Sequence, residues 1–304
     1  MKNIVKNPLV VVGSVALDSV KTPFGQVKRA LGGSAVYFSC AARLFSRPEV
    51  VAVVGKDFPN EHLLKLKKLG INLDSLAIEK GKTFHWQGYY NQNLNEAITQ
   101  KTELNVFADF DPHLSATQIQ AKYLFLANIH PALQLNVLKQ AKRPKWVALD
   151  TMNFWIESAK SDLAKVIKRV DIVLMNDGEI RQYTGEDNLQ KAVKKITDQG
   201  PSIVVVKRGE YGAICFTPNG HFALPAYLLS DALDPTGAGD SFAGGFLGWL
   251  SQVNRPKLDD IKQAALMGTM VASFNVQGFS INQLADVRGA GLEKRLKQFR
   301  KMLV

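Results

Sequence analysis

Short apolar runs rich in β-branched residues recur along the chain and alternate with segments of helical period. The runs predict β-strands at 9–15, 50–55, 123–127, 146–150, 171–175 and 202–207. Strands that alternate with helices are typical of βαβ units, which build a largely parallel sheet. The pattern therefore predicts an α/β chain, whose ligands we expect at the carboxyl ends of the strands.

The helical segments carry their own start and stop signals. Pro59 stands at a favourable first helical position, leucines follow at helical spacing, and Gly70 ends the segment. In the last third of the chain the strand rhythm gives way to helices, which we expect at about 238–252, 257–275 and 291–302. This third of the chain is therefore where helix ends can meet a ligand.

One region departs from the alternation of strands and helices. Residues 83–91 are aromatic and β-prone, 93–100 are polar, and 105–110 are apolar again. Because no helical pattern separates the two apolar runs, we expect both to form antiparallel strands that stand off the main sheet.

An earlier segment, which contains Pro23 and Gly25, predicts a further hairpin. We expect the two regions, at about 15–31 and 82–110, to form a small β-sheet lid inserted into a single domain over 1–304. The alternative is that both are ordinary surface hairpins.

The composition fits a globular chain without a membrane segment. With 304 residues, 46% hydrophobic and 21% charged, the chain can bury a large core, which excludes a disordered chain and a disulfide-rich miniprotein. Apolar runs stay well short of the roughly 18 to 20 residues of a membrane helix, and the amino terminus lacks the apolar region of a signal peptide. Because Cys40 and Cys215 show no metal-ligand spacing, we expect a cytoplasmic protein with reduced thiols.

The formal net charge of +11 does not by itself indicate a nucleic-acid partner. Its densest clusters are short, at 65–68, 142–145 and 294–301, and each falls on a predicted helix face or helix end. A solvated basic surface therefore explains the charge better than a nucleic-acid arm, and we expect neither nucleic acid nor a membrane as a partner.

The run 234–246, Asp-Pro-Thr-Gly-Ala-Gly-Asp-Ser-Phe-Ala-Gly-Gly-Phe, carries the clearest chemistry. Gly237, Ala238 and Gly239 leave the backbone bare where a helix starts, and free N–H groups at a helix start bind anions such as a transferring phosphoryl group. The carboxylate of Asp240 would repel such an anion, so its presence beside an anion site needs a functional reason. Accepting a proton from an attacking hydroxyl is such a reason. The structural alternative is an ordinary helix start with an acidic first turn.

The same run resembles the carboxyl-terminal signature of the ribokinase-like, or phosphofructokinase-B, carbohydrate kinases. Four other segments resemble further motifs in the family's order, at 13–18, 32–33, 176–179 and 207–212. The resemblance implies a three-layer ribokinase-like fold, with a central mostly parallel sheet flanked by helices and a small β-sheet lid. It also implies an ATP-dependent kinase that transfers the γ-phosphoryl group to a hydroxyl of a sugar or sugar-like substrate.

For the transfer site, the resemblance implies that Asp240 is the catalytic base and that Gly237, Ala238 and Gly239 form the anion hole. Magnesium would be organised through water by Asn176 and Glu179; the alternative is that these two residues only cap a helix. The residues that the resemblance places beside ATP are Asn176, Lys207, Gly209, Gly212 and Asn275.

For the substrate, the resemblance implies that Asp18 accepts hydrogen bonds from two sugar hydroxyls. The other candidate substrate-binding residues are Gly32, Gly33, Asn128 and Asn153. Asp234 and Thr236 match positions that bind a monovalent cation in much of the family, and K⁺ is the candidate that the resemblance implies. Many members pair through their lids, so the resemblance also implies a homodimer.

Several positions depart from the ribokinase pattern. Ala16, Ser34 and Tyr37 stand where ribokinases commonly have Asn, Lys and Asn, which puts ribose in doubt. Phe154 and Trp155 stand where several hexose and keto-acid kinases have an Arg. A sugar is the first expectation for the substrate. The aromatic lid residues, Phe84, Trp86, Tyr89 and Tyr90, keep a nucleoside kinase open as the alternative, and a non-catalytic sugar or nucleotide sensor is a minor one.

Overall fold

Two β-sheets organise the part of the chain that the computed structural model describes, residues 7–303. The strands in chain order are β1 (Pro8–Val12), β2 (Ala16–Thr22), β3 (Gly25–Gly32), β4 (Arg47–Gly55), β5 (Asn72–Glu79), β6 (His85–Tyr90), β7 (Ala97–Glu103), β8 (Tyr123–Leu126), β9 (Trp146–Asp150), β10 (Ile172–Asn176), β11 (Ile203–Lys207), β12 (Ala213–Thr217) and β13 (Gly220–Leu224). The main sheet has the order β13-β12-β11-β10-β9-β8-β1-β4-β5, and the smaller one β3-β2-β6-β7.

The main sheet is parallel from β11 to β5, and β12 and β13 add an antiparallel edge. The strand order reverses at β1, which pairs with β4 on one side and with β8 on the other. This reversal opens a crevice at the carboxyl ends of the strands, the usual place for a ligand in such a sheet. The predicted parallel sheet is confirmed.

Helices cover both faces of the main sheet. In chain order they are α1 (Ser34–Ala42), α2 (Asn60–Lys68), α3 (Pro131–Gln140), α4 (Asn153–Ser158), α5 (Lys160–Ile167), α6 (Asp177–Thr184), α7 (Leu189–Thr197), α8 (Ala238–Leu250), α9 (Leu258–Asn275), α10 (Asn282–Asp286) and α11 (Gly289–Met302). The four helices predicted from the sequence, α2, α8, α9 and α11, all form within about two residues of their predicted limits.

The three-layer architecture follows from the alternation of side chains along the strands. In β1, Leu9 and Val11 face the core beneath α1, α8 and α9, whereas Val10 and Val12 face the core beneath α3, α5, α6 and α7. Because both faces of this strand are buried, it reads as an unbroken apolar run in the sequence. Burial of both faces thus explains why six neighbouring strands of the main sheet were predictable, namely β1, β4, β8, β9, β10 and β11. The three outer strands, β5, β12 and β13, are more exposed and were not predicted.

The smaller sheet differs in part from the prediction. Its outer pairs, β2 with β3 and β6 with β7, are antiparallel hairpins, but β2 and β6 pair in parallel. The predicted strand at 105–110 is wrong: Asn105–Asp109 is a short 3-10 helix. The second strand is instead β7, which lies in and just after the stretch that we expected to be polar and irregular. The sequence did not predict this strand because it is almost wholly exposed and has no apolar face.

Helix α8 makes unusually close contacts with its two neighbours. A Cβ atom at Gly244 would overlap the carbonyl oxygen of Phe38 in α1, and one at Gly248 would lie 3.1 Å from the α-carbon of Ala42. On the other side, a Cβ at Gly245 would lie 2.9 Å from the α-carbon of Gly268 in α9. The glycines therefore let α8 pack backbone to backbone between α1 and α9.

Two further observations concern the chain's environment. Across residues 7–303, none of the helices is both long and apolar enough to cross a bilayer. Cys40 and Cys215 are both buried and carry free thiols.

Substitution of Gly244 tests the packing of α8. We expect Gly244→Leu to lower the free energy of unfolding by about 3 kcal/mol, because the side chain would force α1 and α8 apart. Gly291→Ala, in α11 where no atom lies within 4 Å of the added Cβ, is the matched control and should be neutral or stabilising by up to about 1 kcal/mol. Urea unfolding measures both, and a Gly244→Leu protein as stable as the wild type would contradict the packing argument.

Candidate active site

Three neighbouring parallel strands deliver polar residues to the same edge of the main sheet. Asp150 ends β9, Asn176 ends β10 and Lys207 ends β11. The Nζ atom of Lys207 lies 2.6 Å from Oδ2 of Asp150, and both side chains are largely shielded from solvent, with 17% and 4% exposed. This ion pair forms the floor of the site.

The charge of Lys207 is shared among several carboxylates. Burial lowers the pKa of Lys207, but the nearby carboxylates of Asp150, Glu179 and Asp240 outweigh burial and raise it overall. Lys207 is therefore held as a cation among three acidic side chains. This arrangement provides a fixed positive charge for an incoming phosphate.

The signature run forms the wall of the site. Helix α8 starts directly after Gly237, whose φ of 75° is a left-handed conformation that favours glycine. The ring of Tyr37 packs against the α-carbon of Gly237 and leaves no room for a side chain there. A Cβ at Gly239 would lie 3.1 Å from Nζ of Lys207, so the lysine lies beside the first turn of the helix. The helix start and the lysine lie side by side, which is the arrangement that the predicted anion site requires. The anion-binding role itself stays a prediction.

Asp240 lies in the first turn of α8 and keeps part of its surface open. Burial raises its pKa well above the usual range, and the carboxylates of Asp150, Asp18 and Glu179 act in the same direction against Lys207. A carboxylate with a raised pKa is a stronger base than a free one. The electrostatics therefore fit the proton-accepting role expected of Asp240.

Asp18 faces the same site from the smaller sheet. Its Oδ2 accepts a hydrogen bond of 3.2 Å from the backbone N–H of Gly33, and a Cβ at Gly32 would overlap the carboxylate. Burial raises the pKa of Asp18 to about 7; the Gly33 hydrogen bond lowers it and the charge of Asp234 raises it. The glycine pair thus wraps the backbone around a carboxylate that is partly protonated at neutral pH.

Asn176 and Glu179 form a capping box at the start of α6. Glu179 N donates to Oδ1 of Asn176 at 2.7 Å, and Asn176 N donates to Oε2 of Glu179 at 2.7 Å. Burial raises the pKa of Glu179 to about 7; Lys207 lowers it and Asp150 raises it. The two residues therefore do cap the helix, and the same cap holds the Glu179 carboxylate near the ion pair, so their magnesium role stays a prediction.

Asp234, Thr236 and Asn275 support the signature run from behind. Thr236 N donates to Oδ1 of Asp234 at 2.9 Å, and Nδ2 of Asn275 donates to the Thr236 carbonyl at 2.8 Å. Within residues 7–303, Oδ2 of Asp234 and Oδ1 of Asn275 are buried, and neither makes a well-formed hydrogen bond. Burial raises the pKa of Asp234, whereas hydrogen bonding from Thr236 and from the nearby Ser280 backbone lowers it. Asn275 therefore anchors the signature run, and its place beside ATP stays a prediction.

Gly209 and Gly212 bracket a tight turn after β11. Both have positive φ, 54° and 92°, and the turn is closed by a 2.8 Å hydrogen bond from Arg208 N to the Gly212 carbonyl. The turn directly follows Lys207, and the predicted place of both glycines beside ATP stays a prediction. The side chain of Asn95, from the connection between β6 and β7, fills the space beside Gly209.

The two remaining substrate candidates are placed differently. Asn128 follows β8 at the crevice, and its buried Oδ1 has no hydrogen-bond partner in the described chain. Asn153 opens α4, is exposed, and accepts a 2.9 Å hydrogen bond from Phe154 N. The substrate-binding role of either asparagine stays a prediction.

Sequence reasoning missed two residues of the site, Asp150 and Asn95, and it missed the contacts that Tyr37 and Tyr90 make there. Asp150 could have been found, since it ends a predicted strand beside the strand that leads to Asn176. Tyr90 lies in a predicted strand, but its hydroxyl meets Oγ1 of Thr236 at 3.3 Å across 146 positions of sequence. No local pattern signals such a contact, or the contacts of Tyr37 and Asn95.

The chain is similar to known proteins along most of its length. The family model of the pfkB carbohydrate kinases matches residues 8–286. A cytidine kinase from Thermococcus kodakarensis is 30% identical over 80% of this chain and 88% of its own length. The crystal structure of a nucleoside kinase from Methanocaldococcus jannaschii superposes with a TM-score of 0.78 at 21% identity, covering 96% of this chain and 98% of that one.

A second solved structure holds nucleotide and metal. It is a ribokinase II candidate from E. coli in complex with ATP and Mg²⁺, with a TM-score of 0.77 at 16% identity, covering 97% of this chain and all of the other. Both structural neighbours share the ribokinase-like fold, with its large parallel sheet and smaller second sheet. This chain belongs to the pfkB family of carbohydrate kinases, phosphotransferases that act on a hydroxyl group.

Proposed function

We propose that this kinase transfers the γ-phosphoryl group of ATP to a hydroxyl of a nucleoside. The observation that carries the proposal is the lining of the site around Asp18. This lining offers one carboxylate for a pair of hydroxyls, and aromatic surface for the rest of the substrate. A free sugar needs polar partners for most of its hydroxyls, whereas a nucleoside has an apolar, stackable base.

The three positions that depart from ribokinases support this choice. Ala16 is fully buried and apolar. The hydroxyl of Ser34 is already occupied by Ser14, whose N and Oγ lie 3.2 and 3.1 Å away. Tyr37 is buried against Gly237. None of the three supplies the amide or ammonium group that the ribokinase pattern would place there.

Aromatic side chains of the smaller sheet supply a surface for a base. Trp86 pairs with Asp18 in the sheet register and so projects from the same face. Its indole lies over Gly88, with no room for a Cβ, and Nε1 donates to Oγ1 of Thr99 at 3.1 Å. Phe84 instead packs into the main core against Phe107, at 5.4 Å between ring centroids.

The similarity to named kinases points the same way. The relative from T. kodakarensis is a cytidine kinase, and the structural neighbour from M. jannaschii is a nucleoside kinase. We therefore favour the nucleoside over the free sugar that the sequence first suggested. A non-catalytic sensor would need neither Asp240 nor an anion site, so this alternative is the weakest.

The proposed mechanism uses the residues as follows. Asp18 accepts hydrogen bonds from two sugar hydroxyls and orients the ring. Asp240 takes the proton of the acceptor hydroxyl as its oxygen attacks the γ-phosphorus; the new P–O bond forms while the bond to the β-phosphate oxygen breaks, and ADP leaves. Lys207 and the N–H groups of Gly237, Ala238 and Gly239 stabilise the charge on the transferring group.

Magnesium fits the donors at this edge of the sheet. Within residues 7–303, no three acidic, His or Cys side chains converge to bind a metal directly. The carboxylates of Glu179 and Asp150 would therefore hold Mg²⁺ through water beside Asn176, which suits an ion that keeps several of its waters. When bound, Mg²⁺ would neutralise charge on the β- and γ-phosphates.

A monovalent cation, proposed as K⁺, fits behind the signature run. Oδ2 of Asp234 and Oδ1 of Asn275 are buried without a well-formed hydrogen bond in the described chain, and both residues bond the backbone of Thr236. A cation bound there would satisfy both oxygens. The proposal has four further parts. ATP binds at Gly209 and Gly212, and the smaller sheet acts as a lid within a single domain. The protein forms a homodimer through that sheet and is located in the cytoplasm. The free, buried thiols support a reducing compartment.

An acceptor panel with Asp240→Asn tests the proposed reaction. With ATP and Mg²⁺, we expect cytidine or another nucleoside to stimulate ADP release more than ribose or fructose, with a phosphorylated nucleoside found by mass spectrometry. Asp240→Asn should lower kcat about 10²- to 10⁴-fold, because only the base is removed. Asp259→Asn is the matched control, since this side chain is 90% exposed on α9.

Two results would contradict the proposal in different ways. If only ribose or fructose were phosphorylated, the nucleoside substrate would be refuted, but the kinase activity would stand. An Asp240→Asn protein that keeps most of its rate would overturn the role of the base.

Asp18→Asn tests the buried carboxylate through stability. In the unfolded chain this carboxyl has a pKa near 3.8, but in the fold it is about 7. Between these values folding takes up a proton, so the folded protein loses stability as pH rises towards 7. We expect Asp18→Asn to raise the melting temperature relative to wild type at pH 8 more than at pH 5, and to raise KM for the acceptor. An equal difference at both pH values would refute the buried, raised-pKa carboxyl.

The cation proposal is tested by the monovalent salt. Replacing tetramethylammonium by K⁺ should raise both the rate and the melting temperature of the wild type, because the buried oxygens gain a partner. Asp234→Asn should lose most of the thermal response. A melting temperature that is the same with K⁺ and with tetramethylammonium would contradict the proposed cation site.

A further inference from the structure

A side chain of the hairpin in the smaller sheet, Asn95, contacts the turn where we propose that the nucleotide binds. The hairpin tip, residues 91–96, joins β6 to β7, and the nucleotide turn, residues 208–212, follows β11. Nδ2 of Asn95 donates to Oε1 of Glu210 at 3.0 Å, and the backbone N–H of Glu210 donates to Oδ1 of Asn95 at 3.4 Å. Both bonds join positions 115 residues apart in the chain.

The contact is shaped on both sides. Oδ1 of Asn95 occupies the space that a Cβ at Gly209 would fill, so the turn accepts the amide only because residue 209 is glycine. On the other side, Asn95 N donates to Oδ1 of Asn93 at 3.0 Å, which fixes the hairpin tip behind the contact. The side chain of Asn95 is therefore held from its own loop and seated against the nucleotide turn.

The nucleotide turn leads directly into the transfer site. Lys207 immediately precedes it and is bound to Asp150. The same hairpin has a second contact with the site, since the hydroxyl of Tyr90 meets Oγ1 of Thr236 at 3.3 Å. The two contacts place the hairpin against both the nucleotide turn and the signature run.

We propose that Asn95 is a positioning residue for the nucleotide: it holds the turn 208–212 in the geometry that receives ATP. The inference rests on the proposed function, which places ATP at Gly209 and Gly212. It adds that the acceptor-side sheet and the nucleotide turn are fixed by one contact. By linkage, an acceptor that holds the smaller sheet in place strengthens ATP binding, and ATP strengthens acceptor binding by the same factor.

The contact contributes little to overall stability. Asn95 and Glu210 are both exposed, and exposed polar pairs add little to the free energy of unfolding. Variants of either residue should therefore fold normally, and a change in nucleotide affinity would report on the contact itself.

The test measures the affinity for AMP-PNP with Mg²⁺ by calorimetry, without any acceptor. Asn95→Asp sets a carboxylate against Glu210 and should raise the Kd about fivefold or more, with an unchanged melting temperature. In N95D/E210Q the introduced glutamine amide can donate to the introduced carboxylate, at the net charge of the wild type, and the Kd should return to within about twofold. Gln100→Ala, exposed on β7 of the same sheet, is the matched control and should bind as the wild type does.

Two results would contradict the proposed role of Asn95, and they differ in what else they refute. A Kd for Asn95→Asp within about twofold of wild type, or a double variant no better than the single one, would overturn the positioning role. A wild-type protein that does not bind AMP-PNP would overturn the nucleotide site and this inference with it. Because no acceptor is present, failure of the nucleoside proposal leaves the measurement unaffected.

Discussion

The site depends on one constraint, the close packing of α8 between α1 and α9. Gly244 and Gly248 admit the backbone of α1, and Gly245 meets Gly268 of α9. Helices held at backbone contact have little freedom to slide or rotate. The first turn of α8, which carries Asp240, is thereby fixed relative to the strand ends of the main sheet.

The fixed helix start brings Asp240 into the cluster of charged side chains around Lys207. Lys207 is surrounded by the carboxylates of Asp150, Glu179 and Asp240, and burial raises the pKa of the last two. Such a cluster is costly in an empty site, because like charges are held together out of water. The magnesium ion of the proposed function would bring a positive charge that offsets this repulsion.

Much of this structure could be predicted, and the reason lies in burial and backbone chemistry. Strands buried on both faces appear as apolar runs, and the bare glycines before Asp240 predict the helix start that forms the wall of the site. β7 was missed because both its faces are open to solvent and its residues are polar. The contacts of Tyr37 with Gly237 and of Asn95 with Gly209 join distant segments, and no local pattern encodes them.

The most direct measurement is a crystal structure of the protein with AMP-PNP, Mg²⁺ and cytidine. The account predicts two ribose hydroxyls on the carboxylate of Asp18 and the acceptor hydroxyl within about 3 Å of Asp240, in line with the γ-phosphorus beside Lys207. The base should lie against Trp86. A nucleoside bound with its hydroxyls away from both carboxylates would contradict the assignment of the site.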